Sequence, residues 1–509
     1  MTITAVDLTI IILYLLTMRL VGARYAKKGQ SLDHYLLANR SLGGWVTGLS
    51  LVGTSISSVT FLAYPADAFK TNWLRFLPSL SLPLVMVGVV YVLIPKMLRS
   101  AQVTAYEALE YRYGLSIRVY GALAFIITQL VRVSLVLYLI SLVTQMMTGL
   151  EARWCVVLTG GVAALYTARG GFEAVVWTDV LQVFILALGG AICLWIVIDL
   201  TPGGIDFIID RARSEHKLSV EVINSEVSRG ATDWSLSLTH KTALMMFIVG
   251  LTHWLTEYVS NQGVLQRVYA TRDPKETRRA LWICAGLSLP LWTLFMSLGT
   301  ALYVFFSQRP DVLPRMIHQG QARAEELLPY FIAHYLPTGL AGLVIAASLA
   351  AAMSSLDSSL NAIASVSVHD LYQRFRAPLS SDQSSTEALL SVARWSTMVA
   401  AGLMMMGALM LLESEGETLQ DMMITMSSLL AGGLLSLYLI GWYTQRYQTA
   451  HVWCGLIATG GYTLWSAAAA QGWVGIPFDL YYTGLIGNVV MLVVTWMSAA
   501  ILPEVKQRS

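Results

Sequence analysis

Ala346 to Asn361 reads AASLAAAMSSLDSSLN, five serines and an aspartate set in an otherwise apolar stretch. At 100° per residue, Ala351, Ser354, Ser355 and Ser358 fall on one stripe of a helix. The alanines around them let a neighbouring helix come close. A hydroxyl stripe facing such a neighbour offers hard oxygen ligands to a small cation. Serines in apolar helices also bond back to their own carbonyls or help helices pack. Asp357 weighs toward the first reading, because a carboxylate at membrane depth is costly and marks ion or proton pathways.

Outward from this stretch the chain stays apolar. Of 509 residues, 56% are hydrophobic and 13% charged, against about 25% charged in a soluble domain. A helix crosses a bilayer with about 20 mostly apolar residues. About thirteen segments qualify, roughly 5–23, 43–66, 72–95, 119–148, 152–168, 175–199, 239–266, 279–306, 325–368, 389–412, 419–441, 450–471 and 479–502. The expected fold class is therefore all-α integral membrane, a single transmembrane domain over residues 1–509. The longest segments must contain turns. The first has no basic n-region and is followed by Arg24, Lys27 and Lys28, so it reads as an anchor rather than a cleaved signal.

Basic residues sit in alternate loops: Arg24, Lys27, Lys28 and Arg40; Lys96, Arg99, Arg112 and Arg118; Arg169; Arg267, Arg272, Lys275, Arg278 and Arg279; Arg374 and Arg376; Arg446; Lys506 and Arg508. Loops so enriched face the cytoplasm, which puts the N-terminus outside and the C-terminus inside. The acidic Glu413–Glu417 stretch and the long Thr201–Thr239 loop fall on the opposite side. A net charge of +2 follows the inner leaflet and points to the lipid bilayer, not to nucleic acid. Cys155, Cys193, Cys284 and Cys454 lie far apart with no metal-ligand spacing. The sequence has no Walker glycine loop, so a nucleotide-driven pump has no support.

Two segments carry interruptions. Gly48 to Ser58 (GLSLVGTSISS) and Thr256 to Gly263 (TEYVSNQG) gather glycine and polar residues at mid-membrane depth. Irregular backbone is tolerated there only where it lines a cavity or is buried in protein. The interruptions fall in the second and seventh segments, five apart. Interrupted segments at matching places in two halves point to a secondary transporter's binding site, and five plus five spans make the second half inverted. The halves are about 43–199 and 239–441, with peripheral helices at about 5–23, 450–471 and 479–502.

The chain resembles the sodium/solute symporter family, which includes sugar, iodide, proline and sialic-acid carriers. The resemblance rests on the serine run and on TAYEALEYRYG (Thr104–Gly114), ARGGFEAVVWTDVLQ (Ala168–Gln182), NQGVLQRVYATRDPKETRRAL (Asn261–Leu281) and VHDLYQR (Val368–Arg374). It implies the inverted-repeat fold of the bacterial leucine transporter, with one helix before the ten-helix core and two after it. QLVRVSLVLYL (Gln129–Leu139) and SSVTFLAYPADAFKTNW (Ser57–Trp73) resemble bacterial sialic-acid symporters in particular.

By that resemblance, a shared sodium site takes carbonyls of Gly53, Ile56 and Ala351 with hydroxyls of Ser354 and Ser355. A second sodium site falls on Asp179, Ser354, Asp357 and Ser358, where Asp357 replaces the relatives' serine. Two carboxylates in one layer repel, so the layer holds a cation or takes up a proton. The solute contacts implied are Ser57, Thr60, Arg132, Glu257 and Tyr258, with Arg75 and Ser79 at positions where the relatives carry phenylalanine and glutamine. Arg132 lies too deep in its span to reach water and needs a carboxylate partner, the solute's or the resident Glu257's. His253 reads as a packed polar residue.

The expected activity is import of a small polar solute, an acidic sugar or other organic anion, coupled to one or two Na+ ions by alternating access. The expected protein is no enzyme, and acts as a monomer in a bacterial cytoplasmic membrane. A neutral solute, coupling to protons, or a non-transporting sensor of the same fold are the alternatives.

Overall fold

The computed structural model describes residues 4–26, 31–98, 103–221, 232–309, 324–376, 383–412, 432–444 and 446–501. Among these the protein is built of helices and their connections, with one isolated bridge between Leu42 and Thr271. Eight helices are long and apolar enough to cross a membrane, and one bent pair raises the number to nine. Glu413–Glu417 and residues 419–431 of one expected span lie outside the described residues.

In chain order, α1 spans Ala5–Ala26, α2 Gly44–Ser55, α3 Tyr64–Lys70 and α4 Trp73–Met97. Next come α5 (Leu115–Thr148), α6 (Ala152–Leu200), α7 (Gly204–Ser214), α8 (Ala243–Ser260) and α9 (Gln262–Tyr269). The rest are α10 (Pro274–Ser307), α11 (Leu327–Tyr335), α12 (Leu340–Val366), α13 (Gln383–Leu412), α14 (Leu434–Tyr443), α15 (Thr449–Ala470) and α16 (Thr483–Ile501).

The two expected segments 152–168 and 175–199 are two helices, labelled together as α6, that meet at a non-helical break at Gly171. There φ is +69°, and the Tyr35 ring lies 3.1 Å from where a Cβ would stand. A side chain at that position would be strained and crowded. The long 325–368 segment divides into α11 and α12. The serine helix α12 is buried almost throughout, whereas α1 exposes most of its surface. The sequence that carries the polar stripe is thus the central post of the bundle.

Both interruptions are real breaks. α2 stops at Ser55, Ile56 is extended (φ −108°, ψ 121°), and the chain resumes through a π turn at Val59–Ala63 into α3, bent by 56°. α8 stops at Ser260, and Asn261 (φ −81°, ψ 110°) starts α9 by accepting from the Gly263 N–H at 2.8 Å. A helix end leaves its last carbonyls without intrahelical donors, so each break presents backbone oxygens in the interior.

The motif Thr104–Gly114 clamps the second break. Tyr106 donates its hydroxyl to the Ser260 carbonyl (2.7 Å), and Gln262 bonds the backbone of Val103 and Ala105 (3.0 and 2.9 Å). Thr104 and Arg118 both bond Asp370 (2.7 and 2.6 Å). Three separated motifs thereby meet around one end of the broken helix.

Candidate functional site

A cavity of about 190 Å³ opens where the α2–α3 break faces α4, α5, α8, α10 and α16. Six of the seven expected solute contacts line it: Ser57, Thr60, Arg75, Ser79, Arg132 and Glu257. Tyr258 does not. It is 1% exposed and its hydroxyl rests 3.4 Å from the Cys284 sulfur. Neighbours on a helix point about 100° apart, so with Glu257 turned to the cavity Tyr258 turns into the core. His253, expected to be packed, is instead exposed along the cavity wall, edge-on to Trp254 at 5.0 Å.

Trp254 and Trp292 stack at 5.2 Å and supply a flat apolar wall, and Trp254 donates to the Pro78 carbonyl at 3.0 Å. Such a wall suits the non-polar face of a ring, with rim hydroxyls and amides fixing its orientation. Tyr64 and Ser79 are 3.1 Å apart across that rim. Arg75 is ion-paired with Asp67, a fully buried acid just behind it. Gln129, one turn before Arg132, joins the lining. Its spacing from Arg132 was the signal available in the sequence.

Arg132 holds the floor. One nitrogen donates to Glu257 Oε1 at 3.0 Å and another to the Thr54 carbonyl at 3.0 Å, an oxygen freed by the α2 break. A resident carboxylate therefore answers the deep arginine. Beneath Arg132 lies a second hole of about 10 Å³, bordered by Thr54, Ser355, Ser358 and Ser359, close to the space of a single water or small ion. Ser355 is buried and its hydroxyl takes no hydrogen bond, whereas the Ser354 hydroxyl donates to the Ala351 carbonyl at 3.1 Å. An orphaned buried hydroxyl beside freed backbone carbonyl oxygen has the donor set of a sodium site. Gly53 lets α2 lie directly on α6, since a Cβ there would stand 3.3 Å from that of Asp179.

The Asp179 layer differs from expectation. Arg267, read from the sequence as an inner-loop charge, is fully buried in α9. Its guanidinium donates to Asp179 (2.7 Å), Ser50 (2.7 Å), Ser358 (2.6 Å) and the Gly263 carbonyl (2.7 Å). Asp179 and Ser358 are thus spanned by an internal cation, in the place where a second ion was expected. Asp357 takes no bond from that guanidinium: it is fully buried and bonds Thr167, and its Oδ2 has no partner among the described residues. The physical reason is rotation about α12, where adjacent residues diverge by about 100°.

Asp357→Ser is therefore expected to preserve uptake and to shift the half-saturating sodium concentration by less than about twofold. A rise of roughly tenfold, equivalent to about 1.4 kcal/mol, would make Asp357 an ion ligand. Sodium titration of uptake into proteoliposomes reads the difference.

The model of the sodium:solute symporter family matches residues 35–459. The chain is 30% identical to a sodium/sialic acid symporter of Proteus mirabilis, over 97% of this chain and 95% of that one. It is 28% identical to a sodium/sialic acid symporter of Aliivibrio fischeri, over 96% and 91%. A substrate-bound, outward-open structure of a Na+-coupled sialic acid symporter superposes with TM-score 0.85 at 28% identity, covering 99% of this chain and 100% of that chain. A transporter of the nucleobase-cation-symport-1 family shares the fold alone, with TM-score 0.54 at 14% identity.

Proposed function

This chain belongs to the sodium:solute symporter family, and on that premise we propose that it imports an acidic sugar of the sialic-acid type together with sodium. It is a multi-pass membrane protein and a Na+-coupled symporter. The observation that carries the substrate reading is the position of Arg132, which borders both the solute-sized cavity and the ion-sized hole below it. A carboxylate reaching the outer face of that arginine and an ion seated against Thr54 and Ser355 would be a few ångströms apart. Each then favours the other's binding, which is the thermodynamic content of coupling.

In this reading one sodium ion is held by the carbonyls of Gly53, Ile56 and Ala351 and the hydroxyls of Ser354 and Ser355. A second ion at Asp179, Ser354 and Ser358 requires Arg267 to release Asp179, and Asp357, bonded to Thr167, stands outside its ligands. The two breaks sit in the second and seventh of thirteen spans arranged as inverted five-helix repeats. The N-terminus lies outside a bacterial cytoplasmic membrane, the C-terminus inside, and one copy of the chain suffices. Ser57, Thr60, Arg75 and Ser79 read the polar groups of the sugar.

Ser354→Ala and Ser355→Ala each remove a hard oxygen ligand. Each should raise the half-saturating sodium concentration about three- to tenfold, equivalent to roughly 0.7–1.4 kcal/mol. Sodium-dependent uptake of labelled sialic acid into proteoliposomes tests both halves of the proposal. No uptake above that of empty vesicles removes the substrate, and unchanged sodium dependence in both mutants removes the ion site. The Arg132–Glu257 pair favours a second reading, a solute without net charge, because the arginine's charge is already answered.

A further inference from the structure

Glu257 is the residue that the acidic-sugar reading leaves unused. It is about one-fifth exposed at the cavity wall. Both hydrogen bonds it accepts, from Arg132 (3.0 Å) and from Asn261 (2.7 Å), fall on Oε1. Oε2 accepts none from the described residues, and it is absent from the enclosed, unpartnered atoms of the interior. One oxygen of the carboxylate therefore opens on the cavity. His253, one helical turn away on the same face of α8, exposes its ring to the same space.

Charge balance points the same way. The charged side chains of the lining are Arg75, Arg132 and Glu257, and Arg75 is answered by Asp67 behind it. The group is neutral as it stands. A solute carboxylate approaching Arg132 must come close to Glu257, and two carboxylates at that range repel strongly in a poorly hydrated site. A cationic group on the solute, placed against Oε2, removes the repulsion and gives the open oxygen its missing donor.

We propose that Glu257 forms an amine-binding subsite, with His253 beside it, so that the preferred solute is an acidic amino sugar carrying both a carboxylate and a free protonated amine. The proposal rests on the acidic-sugar reading and ranks solutes within it: an acid with a free amine binds ahead of one whose nitrogen is acylated, as in sialic acid, which is still carried at higher concentration. The carboxylate takes the open face of Arg132, the ammonium takes Glu257 Oε2, and the His253 ring bonds a neighbouring hydroxyl. An N-acetyl group on the same nitrogen removes the charge and adds bulk against the carboxylate.

The test compares three probes on the purified full-length protein in sodium: muramic acid, which has acid and amine; N-acetylmuramic acid, which has the acid alone; and glucosamine, which has the amine alone. Thermal stabilisation should reach half its maximum at a tenfold or greater lower concentration of muramic acid than of either other probe. Glu257→Gln should erase the difference between the two acids. Because that variant disturbs Arg132 as well, the wild-type ranking is decisive by itself. N-acetylmuramic acid binding as well as muramic acid overturns the amine subsite and leaves the acid reading standing. Glucosamine binding as tightly as muramic acid, with N-acetylmuramic acid inert, overturns the acid reading together with the proposal.

Discussion

Replacing Arg267 with alanine should lower the stability of the folded protein by about 3–5 kcal/mol, the usual cost of removing one partner from a buried ion pair. Arg267 and Asp179 are both fully enclosed, and the guanidinium makes four hydrogen bonds. Without it, Asp179 keeps only the Ser50 hydroxyl as a donor. The expected result is a steep fall in yield and in the unfolding midpoint. The loss should be partly relieved by sodium, because an uncompensated carboxylate beside two hydroxyls is a site for a small cation. Removing both charges, with Arg267→Met and Asp179→Leu together, should recover much of the stability, since the uncompensated charge is then gone. A single mutant as stable as the wild type at every sodium concentration would show that the pair carries no weight.

This pair also marks where reading the sequence stopped. The breaks within residues 48–58 and 256–263 were legible because glycine and hydroxyl residues at membrane depth have few other uses. The cavity wall was legible because Ser57, Thr60 and Arg132 stand in recognisable local strings. Arg267 was not legible. Lying among Arg272, Lys275, Arg278 and Arg279, it counts as one more inner-loop charge, and only the turn at Asn261 swings α9 back into the bundle. Its partner is 88 residues away, a separation that no helical periodicity reaches. Asp357 and Tyr258 turn to Thr167 and Cys284, away from their expected neighbours, for a smaller reason. Each is one residue from a correctly placed neighbour, and one residue is 100° of rotation.

The residues in and beside the quoted motifs divide accordingly. Tyr106, Gln262, Asp370 and Arg118 hold the adjoining ends of α8 and α9 together and touch neither cavity. Their part is to fix where the break falls, and with it the position of Glu257 one turn earlier. The chemistry of the site depends on that clamp, although the clamp makes no contact with solute or ion.

Arg132→Ala should weaken binding of an acidic solute by about 1.5–3 kcal/mol, the range for a charge-assisted contact, or roughly ten- to 150-fold in affinity. An uncharged analogue of similar shape should lose far less. The mutation also strands Glu257, so part of the loss belongs to the resident pair, and a double-mutant cycle separates the two. Arg132→Ala, Glu257→Ala and the double mutant are compared first without solute, by thermal unfolding, and then by solute titration. In the solute-free cycle, residues in direct contact should couple by about 0.5–3 kcal/mol, because either single mutation leaves an uncompensated charge in the cavity wall and the double mutation leaves only Arg75, which Asp67 answers. In the titration, Glu257→Ala should tighten binding of an acid that has no amine, since it removes the carboxylate that competes for Arg132. The outcome that sinks this account is a Glu257→Ala protein that binds such an acid no better than before while Arg132→Ala binds acid and analogue equally. Arg132 would then be a structural partner of Glu257 and the Thr54 carbonyl, and recognition of the solute would rest on the hydroxyl rim and the tryptophan wall.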